Sequence, residues 1–132
     1  ADMICYPMGS FYSSIMANLL PSGVGSAVAA AKCPKIHIPN LGNDPEALGL
    51  GLFESTQRLI QALEKSAGEG VHPSRLLDFV LVDTSNGVYP EPLDIEKYSR
   101  FGVQVIDTTL VTDRSAPLLD ETELIRQLFS LL

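Results

Sequence analysis

Tryptophan is absent from this 132-residue chain, and positive charge is scarce: nine Lys and Arg stand against sixteen Asp and Glu, for a formal net charge of −7. The basic residues are scattered without a cluster, which excludes a nucleic-acid partner, because phosphate backbones are bound mainly through Lys and Arg. A small anionic ligand stays open, provided backbone amides and helix dipoles hold it. No apolar run approaches the roughly 20 residues needed to span a bilayer, so no membrane partner is expected. The N-terminus lacks the basic-then-apolar design of a signal peptide, and a cytoplasmic protein is expected. Cysteine is limited to Cys5 and Cys33. Both lie in apolar or strand-adjacent settings and are expected to be reduced core thiols. No His or Cys lies at metal-ligand spacing. Also missing are the three-glycine dinucleotide pattern, since Gly42, Gly49 and Gly51 have other spacings, and a Gly-rich loop ending in Lys-Ser or Lys-Thr. Ser10, Ser13 and Ser14 lack the flanking glycines of a hydrolase elbow.

What is present is a hydrophobic content of 45%, enough for one globular domain. Short runs rich in Val and Ile alternate with helical patterns. Met3–Tyr6, Lys35–Ile38, Phe79–Val82 and Val103–Ile106 read as buried strands bounded by turn residues. Helices are expected from Tyr12 to Leu20 and from Val24 to Ala31. A third has one face formed by Leu52, Phe53, Thr56, Leu59, Ile60 and Leu63, with Gly68 as its stop. Asp94 is the expected cap of a short helix ending near Gly102. Asp120 and Glu123 form a capping box for a last helix through Leu124, Ile125, Leu128 and Leu131. Alternating strand and helix implies parallel pairing through right-handed crossovers. The fold class is therefore α/β, a Rossmann-like three-layer αβα arrangement with a mostly parallel sheet of about four strands. Four strands are few for such a sheet, and the expectation is a single α/β domain fragment, residues 1–132, belonging to a larger domain.

The stretch Asp2–Leu20 carries the main functional signal. A strand runs through Pro7-Met8-Gly9-Ser10 directly into a helix, placing Gly9 and Ser10 at a helix start on the carboxyl edge of the sheet. Ligands of open α/β sheets bind there, and the first helical N–H groups suit a phosphate. Tyr12, Ser13 and Ser14 follow closely. The loop after the second strand, His37 to Glu46, should reach the same edge. Asn40 and Asn43 can donate and accept, while Asp44 suits a sugar hydroxyl or a water-held divalent metal; simple turn chemistry explains the same residues. Asp83 is open to a ribose or metal contact or to capping the turn at Gly87. Arg114 is open to a phosphate or to a salt bridge near Asp113. His37 reads as a partly buried, hydrogen-bonded imidazole, with catalysis the sharper alternative, and His72 as a loop residue.

Taken together, the segments resemble the C-terminal half of the CofD/YvcK-like family, which contains 2-phospho-L-lactate transferases and gluconeogenesis factors. The similarity rests on Pro7-Met8-Gly9-Ser10-Phe11-Tyr12-Ser13-Ser14, then Asn18-Leu19-Leu20 and Gly23, and on Asn40-Leu41-Gly42-Asn43-Asp44-Pro45-Glu46. Met8 extends the family's first loop, Gly42-Asn43-Asp44 replaces its Met-Thr-Gln, and Glu46 follows Pro45 without an intervening glycine. The resemblance implies a nucleotide or nucleotide-sugar ligand, with Mg²⁺ in the transferase branch. Gly9, Ser10, Tyr12, Ser13 and Asn40 would meet the nucleotide phosphates, and Asp44 and Asn43 a sugar or metal. Three functions are compatible with it: a regulator of the gluconeogenesis-factor type, a phospholactate-type transferase, and a non-catalytic assembly module. Self-association or docking to an N-terminal half completes the expected partners.

Overall fold

The apolar runs form four parallel strands, β1 (Ile4–Tyr6), β2 (Lys35–His37), β3 (Phe79–Val82) and β4 (Gln104–Asp107). The computed structural model describes residues 1–42, 44–47, 49–68 and 70–132. The expected role of Asn43 therefore lies outside the described residues. The sheet order is β1-β2-β3-β4, with Cys5 beside Ile36, His37 beside Val80 and Leu81 beside Ile106. Each crossover steps the same way along the sheet, and right-handed connections then fall on one face. That face carries a wide helical turn (Phe11–Met16) running into α1 (Ala17–Leu19), then α2 (Val24–Ala30), α3 (Leu52–Ala67) and α4 (Ile95–Arg100). After β4, α5 (Glu121–Phe129) covers the opposite face and completes three layers.

Strand alternation sorts the side chains between two cores. Val80 and Val82 join Leu59, Ile60 and Leu63 of α3, while Leu81 joins Ile36 and Ile38 under Leu124 and Leu128 of α5. The second core is thinner, and Ile125 and Phe129 of α5 remain exposed. Cys5 corrects the expectation of a core thiol. It lies on edge strand β1, where it is exposed, and both cysteines are free. No helix of the described residues is long and apolar enough to cross a membrane.

Element ends depart from the sequence pattern for local reasons. The strand expected to begin at Val103 begins one residue later, because the Val103 N–H bonds to Tyr98 O at the exit of α4. The helix expected from Tyr12 opens instead as a wide turn, with the N–H groups of Ser14 and Ile15 both reaching Ser10 O at 3.0 and 3.3 Å. Asp94 makes no side-chain cap and pairs with Lys97 at 3.9 Å. Asp120 caps α5 by accepting from Thr122 and Glu123 N–H, but Glu123 pairs with Arg126 rather than returning the bond.

The layer behind the site depends on a close approach of α2 to α3. A Cβ at Gly25 would stand 1.9 Å from Leu63 O and 2.7 Å from Ala67 N, both backbone atoms. Ser66 Oγ accepts from Gly25 N at 2.7 Å across the same contact. Gly25→Ala should lower stability by about 2–3 kcal/mol through overpacking, measured as a drop in melting temperature of roughly 5–15 °C. A drop no larger than that of Ser26→Ala, which loses only a side-chain hydrogen bond to Ala67 O, would refute the close-packing account.

Candidate functional site

The loops that leave β1 and β2 meet at the carboxyl edge of the sheet and are bonded to each other. Gly9 N–H donates to Asn40 Oδ1 at 2.8 Å, and Asn40 Nδ2 donates back to Gly9 O at 2.6 Å. Gly9 has a φ of +152°, a conformation that L side chains rarely adopt. The next N–H groups meet carboxylates. Phe11 N–H donates to Asp44 Oδ2 at 2.7 Å, and Tyr12 and Ser13 N–H donate to Glu46 Oε2 at 3.0 and 2.8 Å. Ser13 Oγ–H adds a bond to Glu46 Oε1 at 2.7 Å. Of the amides singled out for a phosphate, those of Tyr12 and Ser13 are thus occupied by the protein's own carboxylate, and that of Gly9 by the Asn40 side chain. Ser13 N–H and hydroxyl, with Tyr12 N–H, hold the Glu46 carboxyl below its usual range. Glu46 was not singled out in the sequence; its signal was the resemblance itself, in which a Glu follows the loop proline after one glycine.

Behind these loops lies a cavity of about 340 Å³. Its wall includes Phe11, Asn40, Asp44, Gly42, Gly49 and Gly51, so the three glycines that form no dinucleotide motif do share a site. Glu91 enters from the β3–α4 connection and accepts from Phe53 N–H, at the start of α3, at 2.9 Å. Two helix starts therefore border one cavity, each held by a carboxylate from another loop. His37 also lines it. The ring is 1% exposed, not partly buried as expected, because strand alternation turns it under α3, where Nδ1 meets Thr56 Oγ1 at 3.0 Å. Burial lowers its pKa from 6.5 to about 4, so the imidazole is neutral.

Other polar candidates organise loops. Asp83 is buried and accepts from Ser85, Asn86, Leu110 and Val111 N–H, tying the β3 and β4 loops together. Burial pulls its pKa up, but the N–H groups outweigh burial and leave it lowered. Thr84 is bound through its N–H and hydroxyl to Asp107. Arg114 pairs with Asp120 at 2.9 Å rather than with Asp113. The Thr112 hydroxyl and Arg114 lower Asp120 to about 2. His72 caps the Pro73–Arg75 turn through Ser74.

A resident Mg²⁺ does not fit the residues that meet here. Asp44 Oδ2 already accepts from Phe11 N–H and Asn40 Nδ2, and Oδ1 from Glu46 N–H at 2.9 Å. Among the described residues, no group of three or more His, Cys, Asp or Glu side chains is placed to hold a metal.

A domain of α/β class with this pair of loops is matched over residues 1–111 by the family model described as 2-phospho-L-lactate transferase CofD. The chain belongs to that CofD/YvcK-like family. It is 32% identical over 108 residues to the putative gluconeogenesis factor of Thermotoga maritima, an alignment covering 81% of this chain and 30% of that protein. It is 27% identical to the gluconeogenesis factor of Bacillus subtilis, over 97% of this chain and 42% of that one. The crystal structure of a UPF0052 family protein from Bacillus halodurans superposes with a TM-score of 0.72 at 20% identity, over 98% of this chain and 43% of that chain, and supports the fold. The chain thus spans less than half the length of these relatives.

Buried His37 gives stability a definite pH dependence. Its folded pKa, about 4, lies below its ordinary 6.5, so the unfolded chain binds a proton first as the solution acidifies. Stability should fall from pH 6.5 down to about 4, by on the order of 3 kcal/mol. The depressed carboxylates Asp120, Asp83 and Glu46 work the other limb: their contribution is complete above their ordinary pKa and is lost as pH falls through the folded values, about 2 for Asp120. Urea midpoints at pH 7.5, 6.5 and 5.5, all above the carboxylate range, should decline in the wild type and stay level in His37→Gln. An equal decline in both would remove His37 as the cause.

Proposed function

We propose that this chain is part of a nucleotide- or nucleotide-sugar-binding domain of the gluconeogenesis-factor type, with a regulatory role in the cytoplasm. The observation that carries the reading is the seating of Asp44 and Glu46 on the N–H groups of Phe11, Tyr12 and Ser13. A carboxylate resembles a phosphate edge in charge and in accepting geometry, so amides that hold one suit the other. Ser10, Tyr12 and Ser13 then receive a phosphate as the exposed Glu46 side chain swings away, while Gly9 and Asn40, bonded to each other, hold the two loops together. Asp44 stays on Phe11 and Asn40, facing the cavity beside the ligand's sugar. Mg²⁺ belongs to the nucleotide's phosphates in this reading. The chain corresponds to the C-terminal half of the longer domain, and the free edge of β1 is where the other half docks.

Calorimetry of the full-length protein with UDP and UDP-glucose, with and without Mg²⁺, tests this. Saturation at about 100 times the dissociation constant should stabilise the fold by about 2.7 kcal/mol. Glu46→Ala should raise UDP affinity several-fold by vacating the amides, whereas Asn40→Ala should lower it by roughly tenfold because the two loops separate. Absence of any binding would overturn the reading. Mg²⁺-dependent turnover of a nucleotide-activated donor would favour a phospholactate-type transferase instead.

A further inference from the structure

The cavity has an unbalanced supply of hydrogen-bonding groups. Asn40 uses both ends of its amide on Gly9 and Asp44. Glu91 uses Oε1 on Phe53 N–H, and its second oxygen has no partner among the described residues. His37 uses Nδ1 on Thr56, and Nε2 has no partner among the described residues. His37 is among the residues that line the cavity. With the Thr56 hydroxyl donating to Leu52 O at 3.4 Å, Oγ1 accepts from His37 Nδ1–H at 3.0 Å. Nε2 is then a bare lone pair.

In that arrangement the positions without a partner among the described residues are acceptors: a neutral imidazole nitrogen and a carboxylate oxygen. Both repel a phosphate and both want an O–H. Resting on the nucleotide-sugar reading above, we propose that His37 Nε2 and Glu91 receive hydroxyl groups of the ligand's terminal sugar, with Thr56 as the residue that positions the imidazole. The cavity is the sugar subsite, and the amides of the β1 loop are the phosphate subsite. A site built to accept from hydroxyls discriminates against a ligand that lacks them, because its buried acceptor then stays unpaired.

The test compares UDP-glucose with UDP by calorimetry in the full-length wild type, His37→Met and Thr56→Val proteins, together with ¹⁵N spectra of the wild-type histidines. The wild type should prefer UDP-glucose by roughly tenfold, and in His37→Met that preference should fall to about one. Thr56→Val should reduce the preference and admit the Nε2–H tautomer in the spectrum. Should a variant fail to fold, the wild-type spectra decide: free His37 should show Nδ1–H and bare Nε2, and Nε2 should move on saturation with UDP-glucose but not with UDP. A protonated Nε2, an unmoved resonance, or equal wild-type affinities would overturn the sugar subsite while leaving nucleotide binding intact. Binding of neither ligand would overturn both.

Discussion

The site depends on carboxylates from the β2 loop satisfying the N–H groups at the start of the β1 helix. Four of the five residues after Pro7-Met8 present this problem, since Gly9, Phe11, Tyr12 and Ser13 each direct an N–H away from the helix. Orphan donors at a helix start need acceptors, and local caps usually supply them. Here Ser10 makes no side-chain cap, and the acceptors come from residues 31 to 34 positions further along the chain. Two crossover loops are thereby held in one register. The cavity exists because of that tie: Phe11 and Asn40 stand on its wall, and their positions follow from the bonds between the loops.

The same arrangement recurs at α3, where Glu91 from the β3–α4 connection meets Phe53 N–H. Two positive helix ends thus border one cavity. With a net charge of −7 and no cluster of basic residues, backbone amides are the donors that the proposed site offers an anion-bearing ligand. In the proposed reading, attraction comes from those amides, while the side chains around the cavity meet neutral hydroxyl-bearing groups. The two parts of a nucleotide-sugar match these two environments, and neither part matches both. This complementarity is the reason the proposed ligand is a conjugate and not a free phosphate or a free sugar.

The architecture was legible in the sequence because it follows from strong local signals. Val- and Ile-rich runs bounded by turns, alternating with the amphipathic α3 pattern, admit little besides parallel crossovers, and the strands lie within a residue of where pattern puts them. The meeting of Gly9 with Asn40 was also legible, since loops leaving parallel strands share an edge. Legibility ended where long-range partners decide. Glu46 and Glu91 look like solvated loop acids until their amide partners are known. His37 looks half-buried in sequence because its neighbours in the chain, Ile36 and Ile38, face the other core, while its own partner, Thr56, lies on α3. Asp94 and Glu123 had the right types at the right spacing for caps, yet each found a cation three residues on. Cys5 was misread because edge exposure is a property of the sheet, not of the strand.

Strand order carries the remaining step of the argument. Ligand crevices in open α/β sheets form where the order of strands reverses, since there adjacent loops turn to opposite faces and leave a gap. The order β1-β2-β3-β4 has no reversal, and its crossover helices α1–α4 share one face. Such a sheet can complete a crevice only at an edge. Of its two edges, β1 bears the loop with Gly9 and the amide-held carboxylates, and a further cavity of about 380 Å³ runs beside it along Cys5, Met8, Ser14 and Val28. A strand from the longer domain added to β1 with its crossover on the other face would place the reversal against the Gly9 loop. The phosphate subsite would then lie on the seam between two halves, and the proposed sugar subsite wholly within this one. In that arrangement the asymmetry between the two proposed subsites would follow from topology alone.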